Sequence, residues 1–143
     1  AAAGGGKVLQ VVSAAINPSG ASTTSDSFVV SQLTAAITPT ATSSKILVIC
    51  NAHGSNEQET RYLHWTIYRG STNLGNGDAG MGQMFTDSDT RVRSSISAHI
   101  LDSPNTTSAT TYALYYRSGS SGETVELPPS TSQMNITLME IGA

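Results

Sequence analysis

Three histidines, ten carboxylates and a single cysteine are the residues of this 143-residue chain that could carry chemistry. Imidazoles ligate metals, but His53, His64 and His99 each lack a second histidine at the His-x-His or His-x₃-His spacing that brings two rings to one ion. Asp87, Ser88 and Asp89, taken with Asn76, Gly77 and Asp78, make oxygen-rich stretches of the kind calcium prefers; the central Gly and terminal Glu of an EF-hand loop are missing. Gly119-Ser120-Ser121-Gly122 falls one residue short of a Gly-x-Ser-x-Gly nucleophile elbow and reads as a turn. Glu57, Glu59, Glu123 and Glu126 fall in loops or near a strand edge, where carboxylates solvate the surface rather than pair for acid–base work. Cys50 lies inside the apolar run of residues 46–50 and reads as a small buried hydrophobe, not a reactive thiol. Asn105-Thr106-Thr107 and Asn135-Ile136-Thr137 match glycosylation sequons, which chance supplies in a chain of 21 serines and 18 threonines. No reaction, metal or cofactor follows from these residues.

Composition narrows the partners. A net charge of −3 and seven dispersed Lys and Arg residues give no electrostatic footprint for nucleic acid. No apolar run approaches the roughly 20 residues that span a bilayer as a helix. The length suffices for one core without disulfides or metals. The opening Ala1-Ala2-Ala3-Gly4-Gly5-Gly6 reads as a linker or cut end, leaving residues 7–143 as one domain.

The elements that must position any site are strands. Residues 45–77 hold the densest apolar run and the only tryptophan. Across residues 61–69, Leu63, Trp65 and Ile67 alternate with Tyr62, His64, Thr66 and Tyr68, the period of two that a strand requires. Arg69-Gly70-Ser71-Thr72 then fits a two-residue hairpin with Gly at the first central position of a type II′ turn. Residues 7–16, 23–30, 33–38, 91–102, 109–117, 124–127 and 135–141 show further strand patterns separated by Gly, Pro, Asn and Ser. Val92, Ile96, Ala98 and Ile100 share one face, as do Tyr112, Leu114 and Tyr116. Helical periodicity is absent, so the expectation is an all-β antiparallel β-sandwich, jelly-roll-like, of about nine or ten strands.

A two-sheet sandwich has one interior, yet several strands carry apolar residues on both faces: Leu9 and Val11, Leu47 and Ile49, Tyr62, His64 and Tyr68, Met139 and Ile141. This surplus predicts self-association, with Tyr62, His64, Tyr68, Met139 and Ile141 at the interface. Ligand specificity is expected in the glycine-rich loop of residues 75–85, through Asn76, Asp78, Met81, Met84 and Phe85, because loops on a rigid frame carry variation that the frame cannot. The competing expectation is that the methionines and Phe85 cap the open end of the sandwich.

The succession KVLQVV, SSKILV, YRGST, LDSP with TTY, and the closing ITLMEI resembles a family of C-terminal domains of tail-fibre or other virion-appendage proteins of marine bacteriophages. The likeness runs from Lys7 onward and departs at residues 51–60 and 75–90, two stretches expected to be loops. The pattern is also similar, more loosely, to the trimeric jelly rolls of the tumour necrosis factor family. The resemblance implies a non-enzymatic structural domain on the surface of a virion, a homotrimer that contacts other virion proteins and turns variable loops toward a host cell-surface glycan or protein. The alternative reading is a capsid decoration protein or a self-assembling extracellular filament subunit with no ligand. A glycan hydrolase is a third, since a fold alone excludes no activity.

Overall fold

Short β-branched and aromatic runs punctuated by Gly and Pro give eleven antiparallel strands in the computed structural model, which describes residues 6–56, 61–87, 90–129 and 132–142. They are β1 (Val8–Ile16), β2 (Ser22–Thr23), β3 (Val29–Ile37), β4 (Lys45–Asn56), β5 (Arg61–Arg69), β6 (Thr72–Asn73), β7 (Gly82–Thr86), β8 (Val92–Asp102), β9 (Thr110–Ser118), β10 (Val125–Glu126) and β11 (Met134–Ile141). Three of them span only two residues, which accounts for the difference from the expected nine or ten. A first sheet has β1, β11, β4 and β8 as successive neighbours, with β10 and β2 continuing past β11 beside the far end of β4. A second sheet is ordered β3, β9, β5, with β6 and β7 both pairing the other edge of β5. The connections from β3 to β4, β4 to β5, β7 to β8, β8 to β9 and β9 onward cross between the sheets, the winding of a jelly roll.

Alternation puts Ile46, Val48, Cys50, Ile96, Ile136 and Leu138 of the first sheet against Leu33, Ile37, Leu63, Ile67, Tyr112 and Leu114 of the second. Cys50 is therefore core, and burial pushes its thiol up to about 12. Three sequence expectations change. β4 continues to Asn56, so residues 51–56 are strand rather than loop. Residues 82–86 form β7, paired with β5, inside the stretch expected to be an open loop. The short strand expected at an edge near residues 124–127 instead lies between β4 and β2. The hairpin after β5 is as anticipated: Arg69 pairs with Thr72, and Gly70 takes φ +55°, the left-handed value that glycine adopts without strain.

Polar groups lock one end of the sandwich, where the register sets Glu140 and Asp102 on either side of Ile46. Asp102 closes β8 on the inward parity shared with Ile100 and meets Arg69 Nη1 and the Tyr112 hydroxyl from the other sheet. Glu140, inward on β11 and fully buried, accepts hydrogen bonds from Gln10 Nε2 at 2.6 Å and from both the amide and hydroxyl of Thr40 at 2.7 Å. Burial raises its pKa, but the hydrogen bonds from Gln10 and Thr40 outweigh burial and hold the carboxyl at about 2.

Candidate functional site

The outer face of the second sheet gathers residues that the sequence placed in two separate groups. On β5, Tyr62, His64, Thr66 and Tyr68 point outward, and on β9 Tyr115 and Arg117 do the same. Cross-strand pairing sets Tyr62 beside Phe85 of β7 and His64 beside Arg117. The rings follow one another along this face: Phe85 to Tyr62 at 4.6 Å between centroids, Tyr62 to His64 at 5.5 Å, Phe28 to Tyr68 at 6.3 Å and Tyr68 to Tyr115 at 3.9 Å. The Arg117 guanidinium lies 5.4 Å from the Phe28 centroid and joins the two aromatic groups.

This face is covered largely by the chain itself. His64 is 7% exposed and Thr66 is fully buried, because the loop of residues 74–81 folds back over β5 and residues 26–28 lie against Tyr68 and Arg117. Burial lowers the His64 pKa, the charge of Arg117 lowers it further, and a hydrogen bond with the Ala79 backbone opposes both. The expectation that a second copy covers these residues therefore changes for His64 and Tyr68, whereas Tyr62 stays 37% exposed. Met139 and Ile141 lie on β11, on the outer face of the first sheet, so the five residues expected to share an interface fall on opposite sides of the sandwich.

The stretch of residues 75–85 is also not free, although it carries four glycines. Asn76 Oδ1 accepts from the amides of Asp78 at 2.9 Å and Ala79 at 3.1 Å, and the Asn76 and Gly80 backbones bond to each other in both directions. Met81 N donates to Trp65 O at 2.8 Å. Gly80 has φ +69° and presses on the Trp65 carbonyl, and a Cβ on Gly82 would stand 2.5 Å from the Trp65 indole. The glycines serve close approach to β5 rather than mobility. Asn76 is thus a turn former, and Met81 and Met84 pack against the core, as the capping alternative holds for them. Phe85, by contrast, is 46% exposed.

Asp78 closes an open depression of about 300 Å³ that Asp26, Ser27, Phe28, Tyr68 and Arg117 also line. Arg117 builds it. Its Nε and Nη2 both donate to Asp78 O, while Nη1 donates to Asp26 O and Ser118 O, each at 3.0 Å. Four of the five guanidinium N–H groups are spent on backbone carbonyls, so one N–H of Nη2 is left. Neither the Asp26 nor the Asp78 carboxylate holds a hydrogen bond or ion pair within the described residues. Asp26, Phe28, Tyr115 and Arg117 were not singled out from the sequence; the signal available was a lone arginine inside the aromatic run of residues 112–117.

The outer face of the first sheet holds a different arrangement. Register aligns Val11, Met139, Leu47 and Leu101 directly across β1, β11, β4 and β8. Val11 is 55% exposed and Leu101 51%. Further along the same face Asn51, His53, Ser95, Ser97, Ser132 and Gln133 line a depression of about 460 Å³, where His53 Nδ1 lies 3.3 Å from the Ser132 hydroxyl.

The histidines are dispersed over both outer faces, and no group of three or more His, Cys, Asp or Glu able to hold a metal occurs among the described residues. Ser88 and Asp89 of the calcium-like stretch, and Glu57 and Glu59, lie outside the described residues. Glu126 accepts from the Ser55 hydroxyl at 2.7 Å and pairs with Arg91 at 3.4 Å. No described helix is long and apolar enough to cross a membrane.

Fold and surface together define an antiparallel jelly-roll sandwich with an aromatic, carboxylate-bearing outer face on one sheet and an apolar row on the other. No family model matches the chain, and no curated protein matches it.

Proposed function

We propose that the chain is a non-enzymatic structural and recognition module of a bacteriophage virion, an end domain of tail-fibre type that assembles as a homotrimer and turns one face toward a host receptor. The virion assignment rests on the likeness of the framework segments described above. The assembly part rests on one observation: the uncharged row Val11–Met139–Leu47–Leu101, with Ile49 and Ile141 beside it, on the sheet face that no other part of the described chain covers. Burying what those four side chains still expose, about half of Val11 and Leu101 and less of Leu47 and Met139, is worth roughly 2–5 kcal/mol. Association costs at least about 4 kcal/mol, so the row needs its flanking apolar residues to hold copies together.

Sedimentation equilibrium tests this reading, with a mass of three chains expected for the unmodified protein. Leu47→Asp is expected to give a folded monomer, because the carboxylate lies on an outer face yet would be desolvated between copies. A monodisperse wild-type monomer overturns the assembly reading. Filaments in electron micrographs would replace the end-domain reading with that of a polymerising subunit.

A further inference from the structure

We propose that the outer face of the second sheet binds a neutral oligosaccharide, with Tyr62 and Phe85 as a stacking platform and the Asp26–Asp78–Arg117 depression as a hydroxyl-binding subsite. The inference rests on the recognition reading above and names its ligand class.

A pyranose has a flat face of C–H groups and a girdle of hydroxyls, each of which both donates and accepts. Aromatic rings meet the first need, because their electron-rich faces attract polarised C–H groups while shielding them from water. Tyr62 and Phe85 stand side by side with 37% and 46% of their surfaces exposed. Large exposed aromatics on a strand pair that already has a packed inner face are available to a ligand rather than to the core.

The depression meets the second need. Two carboxylates without a partner among the described residues accept hydrogen bonds, while the remaining Nη2 N–H of Arg117 and the Tyr68 hydroxyl donate them. Arg117 is held to the Asp26 and Asp78 carbonyls, so its charge is fixed beside the two carboxylates without being spent on either. That mixture selects by charge. A quaternary ammonium would meet the arginine and a polyanion would meet the aspartates, whereas an uncharged polyol can satisfy both signs at once. The two parts are connected beneath the surface, because the buried His64 stacks on Tyr62 and pairs in register with Arg117.

Affinity electrophoresis of the full chain through native gels containing dextran, galactomannan or laminarin tests the site, with alginate gels and added tetramethylammonium as the charged comparisons. At least one neutral polysaccharide is expected to retard the protein. Asp78→Ala should weaken that binding about tenfold, the loss of one charged hydrogen bond. The pair Tyr62→Ala and Phe85→Ala should abolish it. These side chains are exposed, so the variants keep the fold, which their circular dichroism will verify. Ser95→Ala, in the depression on the other sheet, should retain wild-type retardation. No retardation by any of the three, retardation unchanged in the variants, or retardation by alginate alone would each overturn the inference. A trimer that binds none of the polysaccharides removes the saccharide site and leaves the assembly reading standing; release of reducing ends in the gel would instead overturn the non-enzymatic reading and keep the site.

Discussion

The Tyr112 hydroxyl donates a 2.7 Å hydrogen bond to Asp102 Oδ2, joining the second sheet to the first at one end of the sandwich. Arg69 Nη1 reaches both oxygens of the same carboxylate at 2.9 Å. The pair is asymmetric in what its loss should do. Tyr112→Phe removes one charged hydrogen bond and should cost about 1.5–3 kcal/mol. Asp102→Ala strands the buried tyrosine hydroxyl and an arginine together, and should cost more, about 3–5 kcal/mol. Urea denaturation checks the order, with a shift in midpoint and an unchanged slope for both variants.

Acid should unfold the protein in two stages. His64 has its folded pKa below 6.5, so the unfolded chain takes up that proton first and stability begins to fall as pH drops below 6.5. Glu140 has a folded pKa of about 2 against an ordinary 4.5, so the stability it contributes is complete above 4.5 and is lost as pH falls from there toward 2. His64→Gln should flatten the first stage and Glu140→Gln the second. Thermal midpoints measured between pH 7 and pH 2 separate the two, and a Glu140→Gln profile parallel to wild type below pH 4.5 would refute the assignment.

Trp65 supports the outer face of the second sheet from beneath. Its indole packs on the core and takes the close approach of Gly82, while its carbonyl receives Met81 N. Trp65→Ala should cost roughly 3–5 kcal/mol. Gly82→Val should be destabilising as well, since its Cβ would meet the indole ring rather than a flexible side-chain end. Chemical denaturation reads both.

Cys50 should resist alkylation in the native state, because the thiolate is the reactive form and burial holds the thiol near 12. Iodoacetamide labelling followed by mass spectrometry is expected to show modification only in denaturant, at a rate that tracks unfolding.

Period-two alternation made the framework legible in advance: Ile96, Ala98 and Ile100 do face the core, and Tyr112, Leu114 and Tyr116 do share it. What alternation cannot report is cover. The outward parity of His64 and Thr66 is correct, yet both are buried, because residues 26–28 and 74–81 arrive from elsewhere in the chain to lie over them. For the same reason Tyr68 and Asp78 were assigned to different roles although they line one depression. Glu140 and Asp102 occupy inward positions of apolar strands. Their parity was readable, but the donors that make burial tolerable come from residues 10, 40, 69 and 112, at separations no local pattern encodes.

Arg117 and Trp65 grip the 74–82 loop by its main-chain carbonyls and amides, not by its side chains. The identities of residues 77–79 are consequently uncoupled from the shape of the loop that presents them. Exposed side chains there can be exchanged with the strands, the turn and the arginine clamp left in place, which makes these three positions the natural ones to randomise in a library built on this frame.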